Sequence, residues 1–131
     1  MDRKKILIVD DDADIRLALN ARLRASGYET AFAEDGVTAL AVARREKPDL
    51  ILLDIGLPGG DGFVVLERLK KHTCLACTPV IVLSARDAAE SQRHALEAGA
   101  TAFFQKPADN AELLQAIACQ LAAPTRAATS V

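Results

Sequence analysis

Ile6-Leu7-Ile8-Val9, running straight into Asp10-Asp11-Asp12, is the stretch that decides the fold. Its four apolar residues are consecutive, not alternating, so a strand made of them has both faces covered. Strands of a parallel sheet with helices on either side read this way. Three acids cannot follow that strand into a core, so they stand at its carboxyl end. Leu50-Ile51-Leu52-Leu53 repeats the pattern and runs into Asp54, and Val80-Ile81-Val82-Leu83 runs into Ser84-Ala85. Tyr28 to Ala33 mixes in Glu29 and Thr30, as an edge strand does, and Ala102-Phe103-Phe104 leads into Gln105-Lys106-Pro107.

Between these runs the apolar period becomes helical. Ile15, Leu19 and Leu23, flanked by Ala18 and Arg22, mark helix 1, which Gly27 stops. Val37, Leu40 and Ala41 lead helix 2, which ends before Pro48, and Phe63, Leu66 and Leu69 form the stripe of helix 3. Helix 4, about residues 87–98, has Leu96 as its only large aliphatic residue, and Leu113, Leu114, Ile117 and Leu121 line helix 5. The alternation predicts an α/β fold, a (βα)5 doubly wound, flavodoxin-like domain over 1–123. Its five-stranded parallel sheet has order 2-1-3-4-5, with a crevice at the carboxyl ends of strands 1 and 3. Residues 124–131, small and polar, are expected to form a disordered tail.

Composition narrows the function. A length of 131 residues suits one domain. With 50% hydrophobic and 26% charged residues the chain is not of the disordered class. Sixteen basic against eighteen acidic side chains give a net charge of −2, which argues against direct nucleic-acid binding. No apolar run approaches the ~18 residues of a membrane span. The basic start, residues 1–5, precedes only four apolar residues and does not read as a signal peptide. Three cysteines, an odd number, point to a reducing cytoplasm.

The polar residues converge on one sheet edge. Two carboxylates ~5 Å apart repel by roughly 3 kcal/mol at an effective dielectric of about 20. Asp10, Asp11 and Asp54 would make three such pairs, and Lys106 alone cannot offset them. A hard divalent cation can. Mg²⁺ accepts a few carboxylates together with backbone oxygen, water and phosphate, so the cluster predicts a Mg²⁺ site. Asp12 reads as a helix N-cap or a solvated neighbour.

These fragments, taken with Leu52-Leu53-Asp54-Ile55-Gly56-Leu57-Pro58-Gly59-Gly60-Asp61-Gly62 and Phe104-Gln105-Lys106-Pro107, resemble the receiver domain of bacterial two-component response regulators, of the single-domain chemotaxis kind. The resemblance spans about residues 4–122. Strand order 2-1-3-4-5 is that family's own order, so the resemblance implies it as much as the alternation does. It further implies that Asp54 is the phosphoacceptor, phosphorylated by a sensor histidine kinase or a phosphotransfer protein. Asp11 would bind Mg²⁺ directly, Asp10 mostly through water, and Gly56 through its backbone carbonyl. Lys106 would pair with one phosphoryl oxygen and Ser84 would hydrogen-bond another. Pro107 would orient Lys106 through a cis peptide, an ordinary turn proline being the alternative. Movement of Ser84 would let Phe103 turn inward and change the face of helix 4, strand 5 and helix 5; plain core packing is the alternative for Phe103. Gly56, without a side chain, and Arg86, long and cationic, occupy the positions that tune access of water to the phosphoryl group.

On this reading the chain is a switch. It is not an enzyme beyond transferring and losing its own phosphoryl group. Its partners are the kinase or phosphotransfer protein and a downstream protein or output domain absent from this chain, and its state is monomer or weak dimer. The competing readings are a Mg²⁺-dependent phosphohydrolase, for which the loops leave no substrate cap, and a phosphorylation-independent docking module, which the presence of Asp54 and Lys106 disfavours. His72-Thr73-Cys74-Leu75-Ala76-Cys77 imitates a metal or redox motif but lacks a fourth ligand nearby. His94 reads as solvated and Cys119 as a buried small hydrophobe. Arg44-Arg45 and Arg68 to Lys71 read as cations complementing helix C-termini.

Overall fold

The computed structural model describes residues 3–55, 62–73, 75–84, 88–106 and 110–122, and for residues 88–91, 110 and 122 the backbone alone. Strands and helices alternate along the chain. They are β1 (Lys5–Val9), α1 (Ala13–Ala25), β2 (Glu29–Ala33), α2 (Gly36–Glu46), β3 (Leu50–Asp54), α3 (Gly62–Lys71), β4 (Val80–Ser84), α4 (Ala88–Glu97), β5 (Ala102–Gln105) and α5 (Asn110–Ala122). All neighbouring strands pair in parallel, in the order β2-β1-β3-β4-β5. The expected topology is the observed one.

The unbroken apolar strands are explained by two cores, one on each side of the sheet. Leu7, Val9, Ile51, Leu53, Val80 and Val82 point to one side, where α2, α3 and α4 cover them through Ala39, Ala43, Leu66, Leu69 and Ala95. Ile6, Ile8, Leu50, Leu52, Ile81 and Leu83 point to the other, against Leu19 and Leu23 of α1 and Leu113 and Ile117 of α5. The period of two along each strand sorts its residues between the layers. Each large aliphatic side chain removed from water in this way contributes about 1.5–3 kcal/mol.

Helix ends follow local rules. Asp12 caps α1, its carboxylate accepting from the Asp14 and Ile15 N–H groups, and Asp35 caps α2 through the Thr38 N–H. Gly27, with φ of 95°, takes the left-handed conformation that turns the chain out of α1 toward β2. Arg44 and Arg45 lie in the last turn of α2, and Arg68, Lys70 and Lys71 in that of α3, where cations meet the negative helix ends.

The structure corrects several side-chain expectations. In α2 the buried residues are Ala39, Val42 and Ala43, while Val37 is 80% exposed and Ala41 also faces solvent. Ala39 and Ala43 pack on the sheet together with Val42, and Leu40 is half-buried against the same core as expected, while Val37 stands outside it. Among its described side chains α4 packs by Ala95, and Leu96 is exposed. Ala18 and Arg22 of α1 are exposed beside the buried Leu19 and Leu23. Cys119 is exposed, one helical position off the Leu113–Ile117 stripe. The residues expected to form a tail, 124–131, lie outside the described residues.

Candidate functional site

Strand register assembles the acidic edge. Val9 pairs with Leu53, so the residues that follow them, Asp10 and Asp54, leave the sheet side by side. Asp54 pairs in turn with Leu83 and Ser84 with Gln105, which brings the ends of β4 and β5 to the same rim. The Lys106 N–H donates to the Ser84 carbonyl at 2.7 Å and starts the lysine side chain from that rim.

Asp10 and Asp54 are buried and Asp11 is exposed, and one carboxylate oxygen from each lies within 4.8 Å of the others. Lys106 Nζ donates to Asp10 Oδ2 at 2.9 Å and to Asp54 Oδ2 at 3.1 Å. The β1–α1 elbow is tied as well. The Asp12 N–H donates to Asp10 Oδ1 at 2.9 Å, and Arg16 Nη1 donates to the Asp10 carbonyl at 2.7 Å. Ser84 is buried at the end of β4, and Phe103 is half-buried against the core beneath α2, α3 and α4.

Burial pushes the Asp10 carboxyl above its usual range, and the neighbouring Asp54 charge adds to the rise. The Asp12 N–H and Lys106 oppose it without cancelling it. For Lys106 burial pulls downward, but hydrogen bonds to Asp10 and Asp54 outweigh that and hold the ammonium above its ordinary value. Three carboxylates and one ammonium carry a formal charge of −2. An all-oxygen donor set with that residual charge fits a small, hard divalent cation that keeps several waters, and suits Mg²⁺.

The acids and the lysine predicted for the site thus come together. Gly56, Arg86 and Pro107 lie outside the described residues. His72 sits at the opposite end of the sheet, lining a groove of about 420 Å³ with Arg44 and Lys47. Cys77 is exposed and Cys74 lies outside the described residues. His94 is exposed but stacks on Phe63 of α3, ring centroids 3.8 Å apart, so it is a packing partner of α3 as well as a solvated residue. Arg16 escaped the sequence reading. Its only signal was a cation one turn into the helix that follows an acidic run.

The profile of the response regulator receiver domain matches residues 6–118. Among curated proteins, the response regulator PleD of Caulobacter vibrioides is 46% identical over 110 residues, covering 83% of this chain and 24% of PleD. The transcriptional regulatory protein PrrA of Mycobacterium tuberculosis is 40% identical over 126 residues, 96% of this chain and 53% of PrrA. The chain therefore spans between a quarter and about half of these relatives. Among solved structures, the chemotaxis response regulator CheY4 of Vibrio cholerae superimposes with a TM-score of 0.85 at 30% identity, covering 92% of this chain and 100% of CheY4. The BeF3-activated N-terminal receiver domain of Klebsiella pneumoniae RstA gives 0.84 at 32% identity, covering 90% and 98%. Among the described residues no helix is long and apolar enough to cross a membrane.

Proposed function

Because the chain belongs to the response regulator receiver family of two-component systems, we propose that it is a phosphorylation switch with Asp54 as its phosphoacceptor. The observation that carries this reading is the meeting of Asp10, Asp11 and Asp54 with the Lys106 ammonium at the carboxyl end of the sheet.

In the proposed reaction an oxygen of the Asp54 carboxylate attacks the phosphorus of a phosphohistidine on a histidine kinase or phosphotransfer protein. The P–N bond breaks, its electron pair returns to the imidazole, and an aspartyl phosphate forms. Asp54 ends β3, where its backbone is paired with β4, so the protein contributes positioning and charge more than covalent chemistry. Lys106 exchanges its carboxylate partners for a phosphoryl oxygen, and Ser84 donates to another. Asp10, Asp11 and Asp54 would hold Mg²⁺, with the Gly56 carbonyl as a further oxygen. When bound, the ion neutralises charge on the phosphoryl oxygens and on the acids around them. The chain turns over no other substrate on this reading.

The phosphoryl group adds close to two negative charges and three strong acceptors. Ser84 moving toward it would open space for Phe103, and the surface of α4, β5 and α5 would change for a downstream protein or an output segment. PleD and PrrA are longer than this chain, which is in keeping with either recipient. The likeness to a BeF3-activated receiver domain supports the reading of this chain as an activatable switch. Free Cys77 and Cys119 thiols suit a reducing, cytoplasmic setting.

Intact-mass measurement after incubation with acetyl phosphate and Mg²⁺ tests the proposal. One phosphoryl adduct is expected, dependent on Mg²⁺ and lost in Asp54→Asn. Absence of the adduct, together with absence of beryllofluoride binding, would sink it.

A further inference from the structure

The proposed chemistry needs Asp11 to stand beside Asp10 and Asp54, yet Asp11 is exposed, and among the described residues nothing donates a hydrogen bond to its carboxylate. Asp10, by contrast, is held at nearly every polar atom. Its N–H donates to the Ala33 carbonyl at 3.1 Å, Oδ1 accepts from the Asp12 N–H, and Oδ2 accepts from Lys106. The remaining group is its backbone carbonyl. This oxygen lies beyond the β1–β3 ladder, which ends at Val9, and among the described residues no backbone N–H reaches it. The half-buried Arg16 fills the gap from the fourth residue of α1, Nη1 to oxygen 2.7 Å.

That carbonyl belongs to the peptide unit joining Asp10 to Asp11, and the unit is planar. Holding its oxygen therefore fixes the Asp11 N–H and Cα as well. We infer that Arg16 is a positioning residue for the cation site. Through the Asp10–Asp11 peptide it presents the exposed Asp11 carboxylate to the ion that Asp10 and Asp54 share. The inference rests on the proposal that these acids hold Mg²⁺. It gives Arg16 a role opposite in sign to its charge. A guanidinium beside the site repels a divalent cation, so a residue acting by charge alone would tighten Mg²⁺ binding when removed. A positioning residue would weaken it.

The test is Mg²⁺ titration of the full chain by calorimetry and by ¹⁵N spectra, with Arg16→Met, Arg16→Lys and Asp11→Asn beside wild type. Arg16→Met is expected to weaken Mg²⁺ about tenfold, the scale seen when a group orienting a metal ligand is lost. Backbone order at the Asp11 amide should fall with it. Arg16→Lys, which keeps a long donor, should recover most of both. Unchanged or tighter binding by a folded Arg16→Met, with Asp11 equally ordered, overturns the inference while leaving the cation site standing. Failure of wild type to bind Mg²⁺, or binding unaffected by Asp11→Asn, overturns the cation site and this inference together.

Discussion

Replacing Lys106 by methionine keeps most of the side-chain volume and removes the ammonium that donates to both Asp10 and Asp54. At separations of 2.9 and 3.1 Å and an effective dielectric of about 20, that ammonium gains about 5–6 kcal/mol from each carboxylate. Desolvation takes back much of this, because the Asp10 and Asp54 side chains are only 2% and 9% exposed. Without the lysine, oxygens within 4.8 Å of one another repel by at least about 3.5 kcal/mol. Protonation of Asp10, which burial already favours, limits the damage. In Mg²⁺-free, low-salt buffer at pH 7 the expected loss is therefore about 3 kcal/mol, at the lower end of what an unpaired buried charge costs.

The pH dependence of that loss has a definite sign. The folded state holds Lys106 above its ordinary value, so its contribution is present below the usual lysine range. It is lost as pH rises through the raised value. At the acid end it fades as the Asp10 carboxyl, held above its usual range by burial, gains its proton. Urea unfolding followed by far-ultraviolet dichroism measures both limits. Lys106→Met should also bind Mg²⁺ more tightly than wild type, since a competing cation has gone. Equal urea midpoints at pH 7, or an equally large loss in strong acid, would refute the electrostatic account of this site.

Other perturbations test the scaffold. A Cβ on Gly62 would lie 2.2 Å from the Ile55 Cα. Gly62→Ala should cost about 2 kcal/mol in urea unfolding and reduce acetyl phosphate labelling, because the displaced residue adjoins Asp54. Asp12→Ala should lose about 1 kcal/mol with the α1 cap, and Asp12→Asn should retain most of it, both read as urea midpoints. Glu46 is held below its usual carboxylate range first by the Lys5 hydrogen bond and then by Arg45. Its contribution is present above that range and lost as pH falls through the lowered value. Glu46→Gln should then be less stable than wild type at pH 7 and converge with it in acid, the gap narrowing in high salt.

Most of the architecture is legible in the sequence. Unbroken apolar runs ending in polar residues declare buried parallel strands, and the Asp10, Asp11, Asp54 and Lys106 set follows because every such strand points its carboxyl end to one rim. The face of α2 was legible only at Leu40. Its contact rests on Ala39, Val42 and Ala43 with Leu40 beside them, and the smallness of the alanines carries little weight in an apolar pattern. The setting of Cys119 and the stacking of His94 on Phe63 depended likewise on helix rotation and on neighbours distant in sequence.

The amino-acid sequence by itself determined the element order, the parallel sheet and the identity of the converging acids. These depend on local periodicity and on what must lie at a strand end. Only the tertiary structure decided that Lys106 reaches two carboxylates, that burial acts on Asp10 while Asp11 stays in solvent, and that Arg16 grips the peptide between them. Those outcomes are set by distances of a few ångströms between β1, α1, β3 and β5. No periodicity encodes such distances, because they emerge when two helical layers close on opposite faces of one sheet.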